Sequence, residues 1–352
     1  MKLILPNPRG FCAGVYMAID VVEQLVQMDQ DKPIFVYHEI VHNKHVVDRF
    51  RRRGVTFVDS LDEVPMGSIV VFSAHGVSPA LRRQAVDLEL TAIDATCPLV
   101  TKVHAEAIRY AEKGYQILLV GHADHQEIVG TRGEAPDAIQ IVSSAKDIPG
   151  LQIRDPDRLV YLTQTTLSMD DASKIIDALR DAFPNIKAPP SDDICYATTN
   201  RQKAVHAIAA ECDLVLVVGS KNSSNSVRLT EIAEASGTAA YLIDDKSELD
   251  KEWFEGVDRV LITAGASAPE DLVREIVLYL IEEYDGDVEQ RDIYHETIEF
   301  GLPLTLKKFM RAHGIDGENR RIVRDDAVAL DGWLEAQGIT HQTVGMTIGA
   351  TG

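Results

Sequence analysis

Short, wholly apolar runs recur along the chain, and each ends in a polar loop followed by apolar residues at helical spacing. Such runs read as strands of a parallel sheet, and the stretches between them as amphipathic helices. One unit starts with Ile34, Phe35, Val36 and Tyr37, passes through a polar loop at 38–45 and ends in an acidic turn at 57–64. The same order returns at 117–121, with a loop at 122–127 and an acidic turn at 141–148. It returns again at 214–219, with a loop at 220–226 and an acidic turn at 242–249. A second apolar run with its own polar corner follows each copy, at 70–76, 160–166 and 260–267. Self-similarity at this scale is the mark of a repeated structural unit.

A cysteine corner closes two of the copies. Asp94-Ala95-Thr96-Cys97-Pro98 opens a helical stretch after the first, with Pro98 placed for a first helical turn. Asp192-Asp193-Ile194-Cys195-Tyr196 opens another after the second. The third copy has no such corner behind it. Its counterpart is Cys12 at the other end of the chain, between the apolar run Leu3, Ile4, Leu5 and a helix that buries Ile19, Val21, Val22 and Leu25. The repeat thus closes like a ring, with the N-terminal strand completing the third unit. The expected fold is α/β: three pseudo-threefold-related, trefoil-like units with mainly parallel sheets. Their expected limits are 1–96, 97–194 and 195–306, followed by an extension at 307–352 of unknown role. Ligands of parallel sheets bind at the carboxyl ends of strands, where all the polar corners fall, so three cysteines are expected to meet at one central point.

Composition narrows the chemistry. A net charge of −20 opposes nonspecific binding to nucleic acid or anionic membranes. No apolar run approaches the roughly 20 residues of a membrane helix, and the first residues carry no signal or transit pattern, so the expected compartment is the cytoplasm. Four cysteines are too sparse for a disulfide framework. Three thiols with no fourth partner leave a structural zinc site incomplete, but suit a cubane iron–sulfur cluster with one open iron. Each stands near a helix N-terminus, which favours the thiolate. Cys212, just before an apolar run, reads as a core residue.

His42, His75, His122, His125, Glu127, Thr165, Thr166, Ser223, Ser224, Asn225 and Ser267 all lie on the polar corners. Gathered in one cavity, their donors would suit a diphosphate held without a phosphate-loop lysine. Glu127 reads as a proton donor or relay, or else as an acid favoured at a helix start. Thr165 reads as a proton relay or hydroxyl contact, or else as a helix cap together with Thr166. His38, His45 and His104 are weaker candidates; His206, His295, His313 and His341 read as surface or packing residues.

Asn7-Pro8-Arg9-Gly10-Phe11-Cys12-Ala13-Gly14-Val15, His38-Glu39-Ile40-Val41-His42-Asn43, Ser73-Ala74-His75-Gly76-Val77, Asp94-Ala95-Thr96-Cys97-Pro98-Leu99-Val100, Thr163-Gln164-Thr165-Thr166-Leu167-Ser168 and Ser223-Ser224-Asn225-Ser226 together resemble the 4-hydroxy-3-methylbut-2-enyl diphosphate reductase (IspH/LytB) family. The resemblance runs from residue 1 to about 306. It implies a [4Fe–4S] cluster bound by Cys12, Cys97 and Cys195 with one iron left open. It also implies the last step of the non-mevalonate isoprenoid pathway, in which an allylic hydroxyl is reductively removed to give isopentenyl and dimethylallyl diphosphates. Carried over by motif, His42, His75, His125, Ser223, Ser224, Asn225 and Ser267 hold the diphosphate, while Thr165 and Glu127 manage the hydroxyl and its proton. The implied electron donor is a ferredoxin or flavodoxin.

Two other classes fit the three cysteines: a non-catalytic iron–sulfur redox sensor, and an iron–sulfur dehydratase acting on another small anion. The segment from about 311 onward exceeds the family pattern. It contains one amphipathic helical stretch, with Ala327, Leu330 and Leu334 on one face and Trp333 beside it, and a Gly/Thr-rich end from Val344. An assembly element, a regulatory tail and an unordered appendix are all compatible with it.

Overall fold

A computed structural model describes residues 1–28, 32–318 and 330–345 of the chain. The N-terminal strand β1 (Lys2–Asn7) leads through Cys12 into helix α1 (Ala13–Gln27). The first unit then runs β2 (Ile34–Tyr37), α2 (Lys44–Arg51), β3 (Thr56–Val58), β4 (Ile69–Phe72), α3 (Pro79–Asp87) and β5 (Thr91–Asp94), and α4 (Pro98–Glu112) opens the second. The second continues with β6 (Gln116–Val120), α5 (Gln126–Glu134), β7 (Ile139–Val142), β8 (Leu159–Thr163) and α6 (Met169–Ala182), and α7 (Tyr196–Ile208) opens the third. The third continues with β9 (Leu214–Val218), α8 (Ser224–Ala235), β10 (Ala239–Ile243), β11 (Arg259–Ala264), α9 (Glu270–Tyr284) and β12 (Asp287–Asp292). Helices α10 (Leu304–Ala312) and α11 (Leu330–Ala336) and strand β13 (His341–Gly345) complete the described chain.

Three sheets form, ordered β3-β2-β4-β5, β7-β6-β8 and β10-β9-β11-β1-β12-β13. Every pairing among these strands is parallel. The repeat is visible in the strand order: in each unit the first strand lies between the second and the third. The segment before each cysteine then pairs with that third strand, as β5 on β4 before Cys97 and β1 on β11 before Cys12. In the second unit a single parallel bridge from Val160 to Lys187 does the same work ahead of Cys195. The three acidic turns become short 3-10 turns at Leu61–Glu63, Ala145–Gly150 and Lys246–Glu248. Strands β4, β6 and β9 are buried along their whole length, as expected where helices cover both faces of a parallel sheet.

Helix α10 and the described residues after it pack on the rest of the chain. Leu306 and Met310 of α10 are fully buried in the core of the first sheet, and Thr305 Oγ1 accepts from the backbone N–H of Asp94 at 3.1 Å. Leu334 of α11 is fully buried in the core of the third sheet, beside Trp333. Strand β13 adds to β12 in parallel, so Val344 and Gly345 belong to a sheet edge and not to an unordered appendix. Ala327 and residues 346–352 lie outside the described residues.

Candidate active site

Each of the three cysteines is the residue that precedes a helix: Cys12 before α1, Cys97 before α4 and Cys195 before α7. Each backbone N–H donates to a carbonyl of a polar corner. Cys97 bonds Ala74 O at 3.0 Å, Cys195 bonds Thr165 O at 3.0 Å and Cys12 bonds Ala266 O at 3.2 Å. The same stitch, made three times, brings all three thiols to one cavity. Its lining includes Cys12, Cys97 and Cys195 together with His42, His75, His125, Glu127, Thr165, Thr166, Ser223, Ser224, Asn225 and Ser267.

The thiols are close-set around a glycine. A Cβ on Gly14 would stand 2.6 Å from Cys97 Sγ and 3.9 Å from Cys12 Sγ, so the missing side chain keeps space beside both sulfurs. Burial raises all three thiol pKa values, that of Cys195 to about 11, and the neighbouring thiols raise Cys97 and Cys195 further. First-turn N–H groups do favour the thiolates, but desolvation outweighs them. Among the described residues no three His, Cys, Asp or Glu groups converge as ligands of one metal ion would. Three sulfur donors lining one cavity, with Gly14 leaving space beside two of them, fit an iron–sulfur group.

Beside the thiols sits a histidine cluster. The rings of His42 and His75 stack with centroids 4.0 Å apart, and His125 meets them edge-on at 5.7 and 5.9 Å. Burial, then the neighbouring imidazoles, depress His125 to about 4 and hold His75 well below its usual value. The backbone N–H of Glu127 donates to His125 Nδ1 at 3.2 Å, which leaves Nε2 of the neutral ring as its donor. His42 Nδ1 lies 3.2 Å from Glu39 Oε2, and His75 Nδ1 lies 3.2 Å from Ser73 Oγ.

Hydroxyls and an amide also line the cavity. Ser223 caps α8, and Ser267 Oγ donates to His42 O at 2.8 Å and lies 3.4 Å from Ser223 Oγ. Ser224 Oγ donates to Thr166 O at 3.2 Å. Asn225 is 3 % exposed, yet both polar atoms of its amide lack a partner. A buried amide left so costs free energy unless a ligand satisfies it.

Glu127, in the first turn of α5, is 2 % exposed. The Thr165 N–H donates to Oε1 at 2.6 Å and the Thr165 hydroxyl to Oε2 at 2.8 Å. Burial lifts the carboxyl to about 7 against these two bonds, and Asp193 adds to the rise. The remaining lining includes Val15, Val41, Leu99 and Val100, so a short hydrocarbon would meet apolar walls.

Not every histidine of the corners joins the cavity. His122 Nε2 is taken by Arg228 at 3.2 Å, His38 faces Asp59, His45 faces Asp245, and His104 is buried against Glu134. Cys212 lies in the core beside Val215. Sequence reasoning missed Thr198, whose hydroxyl lies 3.2 Å from Cys195 Sγ and whose N–H donates to that sulfur at 3.4 Å. A hydroxyl three residues after a helix-capping position was the available signal. It also missed Tyr196 and Arg201, whose partners are distant in sequence.

Comparison with known proteins matches the LytB protein family over residues 3–281. The chain belongs to the LytB family. Its relatives include 4-hydroxy-3-methylbut-2-enyl diphosphate reductases of Rhodopirellula baltica and Pseudomonas aeruginosa, each 52% identical. The first match spans 88% of this chain and 97% of the relative; the second spans 87% and 99%. Among solved structures, the E-1-hydroxy-2-methyl-but-2-enyl-4-diphosphate reductase of Plasmodium falciparum superposes with a TM-score of 0.86 at 39% identity, covering 89% of this chain and 99% of that one. Within this LytB-family chain, α10, α11 and β13 all follow the last residue matched to the family.

Proposed function

We propose that this chain is a 4-hydroxy-3-methylbut-2-enyl diphosphate reductase of the non-mevalonate isoprenoid pathway, using an iron–sulfur cofactor. The observation that carries the reading is one cavity holding three thiols that each precede a helix, a three-histidine cluster, an unpaired buried amide and a carboxyl poised near neutrality. Its relatives carry the reductase name over nearly their whole length, and the sensor alternative draws no support from them.

In the finer reading, Cys12, Cys97 and Cys195 hold a [4Fe–4S] cluster with one iron free of protein ligand. Such a group, when bound, would pass on, one at a time, the two electrons that an external donor provides, and would offer a Lewis-acid position for an oxygen ligand. His42, His75, His125, Ser223, Ser224, Asn225 and Ser267 bind and orient the diphosphate by hydrogen bonds, and the anion offsets the charge that protonated imidazoles would bring. Thr166 lines the same side. Thr165 positions the allylic hydroxyl and Glu127 carries the proton that lets it leave as water; at a pKa of about 7 the carboxyl holds a proton at neutral pH and still releases it. Val15, Val41, Leu99 and Val100 exclude water from the hydrocarbon part.

The same reading divides the chain into 1–96, 97–194 and 195–306, with 307–352 as an extension. It makes the protein cytoplasmic and supplied by an external donor such as a ferredoxin or flavodoxin. Among the described residues no helix is long and apolar enough to cross a membrane. Phosphorus NMR of an anaerobic reaction of the iron- and sulfide-reconstituted protein with the allylic diphosphate and excess reduced viologen tests the function. Two five-carbon diphosphates lacking the hydroxyl are expected, and recovery of unchanged substrate would overturn it.

A further inference from the structure

The corners carrying Cys12 and Cys195 lie 183 positions apart in sequence, yet two direct ties join them. Helix α7 begins at Tyr196, the residue after Cys195, and α1 begins at Ala13, the residue after Cys12. The first-turn N–H of Ala13 has no partner within its own helix; it donates to the Tyr196 hydroxyl at 3.2 Å. One turn further along α7, Arg201 is only 1 % exposed. Its Nε and one terminal nitrogen donate to Gly10 O at 3.1 and 2.8 Å, and the other donates to Ala197 O at 2.9 Å. Glu296, from the segment after β12, takes the guanidinium through both carboxylate oxygens at 3.0 and 3.4 Å, and Asn200 donates to the same carboxylate at 3.0 Å.

The geometry of Gly10 explains why a forked donor is used. Its φ of +65° turns the loop two residues before Cys12, and its N–H is held by Ala264 O at 3.1 Å. Its carbonyl is thereby presented to α7, where a planar guanidinium reaches it with two parallel N–H groups. A lysine offers charge at one point and lacks this fork.

We propose that Arg201 and Tyr196 are positioning residues that set the Cys12 corner against the Cys195 corner, before any cofactor is present. The inference rests on the reading of both cysteines as cluster ligands. A rigid group held by three thiols requires their separation to be fixed in advance. This pair sets one of the three separations, while Glu296 neutralises the buried charge.

The test uses the full-length chain, reconstituted anaerobically with iron and sulfide, as wild type, Arg201→Lys, Tyr196→Phe and Val205→Ala. Val205 is a fully buried α7 residue outside the cavity lining and serves as a control for simple destabilisation. Melting of the cofactor-free proteins, iron and sulfide content, and the rate at which a chelator strips iron are measured for each. Iron loss on the order of tenfold faster is expected in Arg201→Lys, the scale of lost support around metal ligands. A smaller acceleration is expected in Tyr196→Phe, and none beyond the change in melting in Val205→Ala. If Arg201→Lys fails to fold, Tyr196→Phe alone carries the test. Wild-type iron retention in the folded variants would overturn the positioning role and leave the cluster reading standing. A wild-type chain that takes up no iron and sulfide would instead overturn the cluster reading.

Discussion

Thr165 engages both oxygens of Glu127, its N–H at 2.6 Å and its hydroxyl at 2.8 Å, in a site where the carboxyl is almost wholly shielded from water. Two donors on one carboxylate lower its pKa, and burial still wins, leaving it at about 7. Glu127→Gln keeps the size and one acceptor but carries no exchangeable acid. Turnover about 10² to 10⁴ slower is expected, the range for a lost general acid, with iron content unchanged. Wild-type turnover in this variant would remove Glu127 as the proton source.

The sign of the pH dependence follows from the direction of that shift. The protonated form is the acid, and its population falls as pH rises through about 7. The specificity constant kcat/KM should therefore drop on the alkaline side of neutrality. In Thr165→Ala the hydroxyl that favours the carboxylate is lost, so the alkaline limb should move to higher pH even as turnover falls. An alkaline limb that stays in place would show that another group controls it.

The histidine cluster predicts proton uptake on anion binding. Burial and mutual repulsion keep His75 and His125 neutral at pH 7, with His125 near 4. A diphosphate beside them favours the charged forms, so both pKa values rise on binding. Calorimetry with inorganic diphosphate at pH 6, in buffers of different ionisation enthalpy, should reveal net uptake that shrinks in His125→Asn. Buffer-independent heats would contradict this.

The four cysteines separate cleanly by position. Cys12→Ser, Cys97→Ser and Cys195→Ser should each abolish turnover and lower retained iron. Cys212→Ser, in the core beside Val215, should leave both near wild type. Full activity in any of the first three would break the ligand assignment.

The extension makes a prediction about stability. Leu334 is fully buried against the third sheet, and Leu334→Ala should cost about 2–5 kcal/mol, the usual range for such a cavity. Thermal melting is expected to fall while turnover of the folded protein stays unchanged. An unchanged melting temperature would mean that α11 contributes little to the core.

Much of this was legible in the sequence because strand, corner and helix each left a local mark. Cys97 with Pro98 announces a helix start, and Leu214 to Val218 can be little else than a buried parallel strand. What stayed hidden depends on partners far along the chain. Strand β12 carries Asp287, Glu289, Arg291 and Asp292 and looks like a loop. It is buried because Arg291 pairs with Glu289 and Glu211, and Lys2 also reaches Glu289. Strand β13 is mostly exposed and makes sense only as the neighbour of β12. The burial that opposes the thiolates stayed hidden as well, since a helix end can be read locally and desolvation cannot.

The central claim is that the three thiols, the histidine cluster and Glu127 form one reductive site for an allylic diphosphate. The most direct measurement follows oxidation of a reduced viologen by the anaerobically reconstituted protein on adding 4-hydroxy-3-methylbut-2-enyl diphosphate. Substrate-dependent oxidation of two viologen equivalents per hydroxyl removed, lost in Glu127→Gln and in Cys12→Ser, is the predicted result. A protein that takes up its full iron and sulfide but never oxidises the viologen when substrate is added would contradict it.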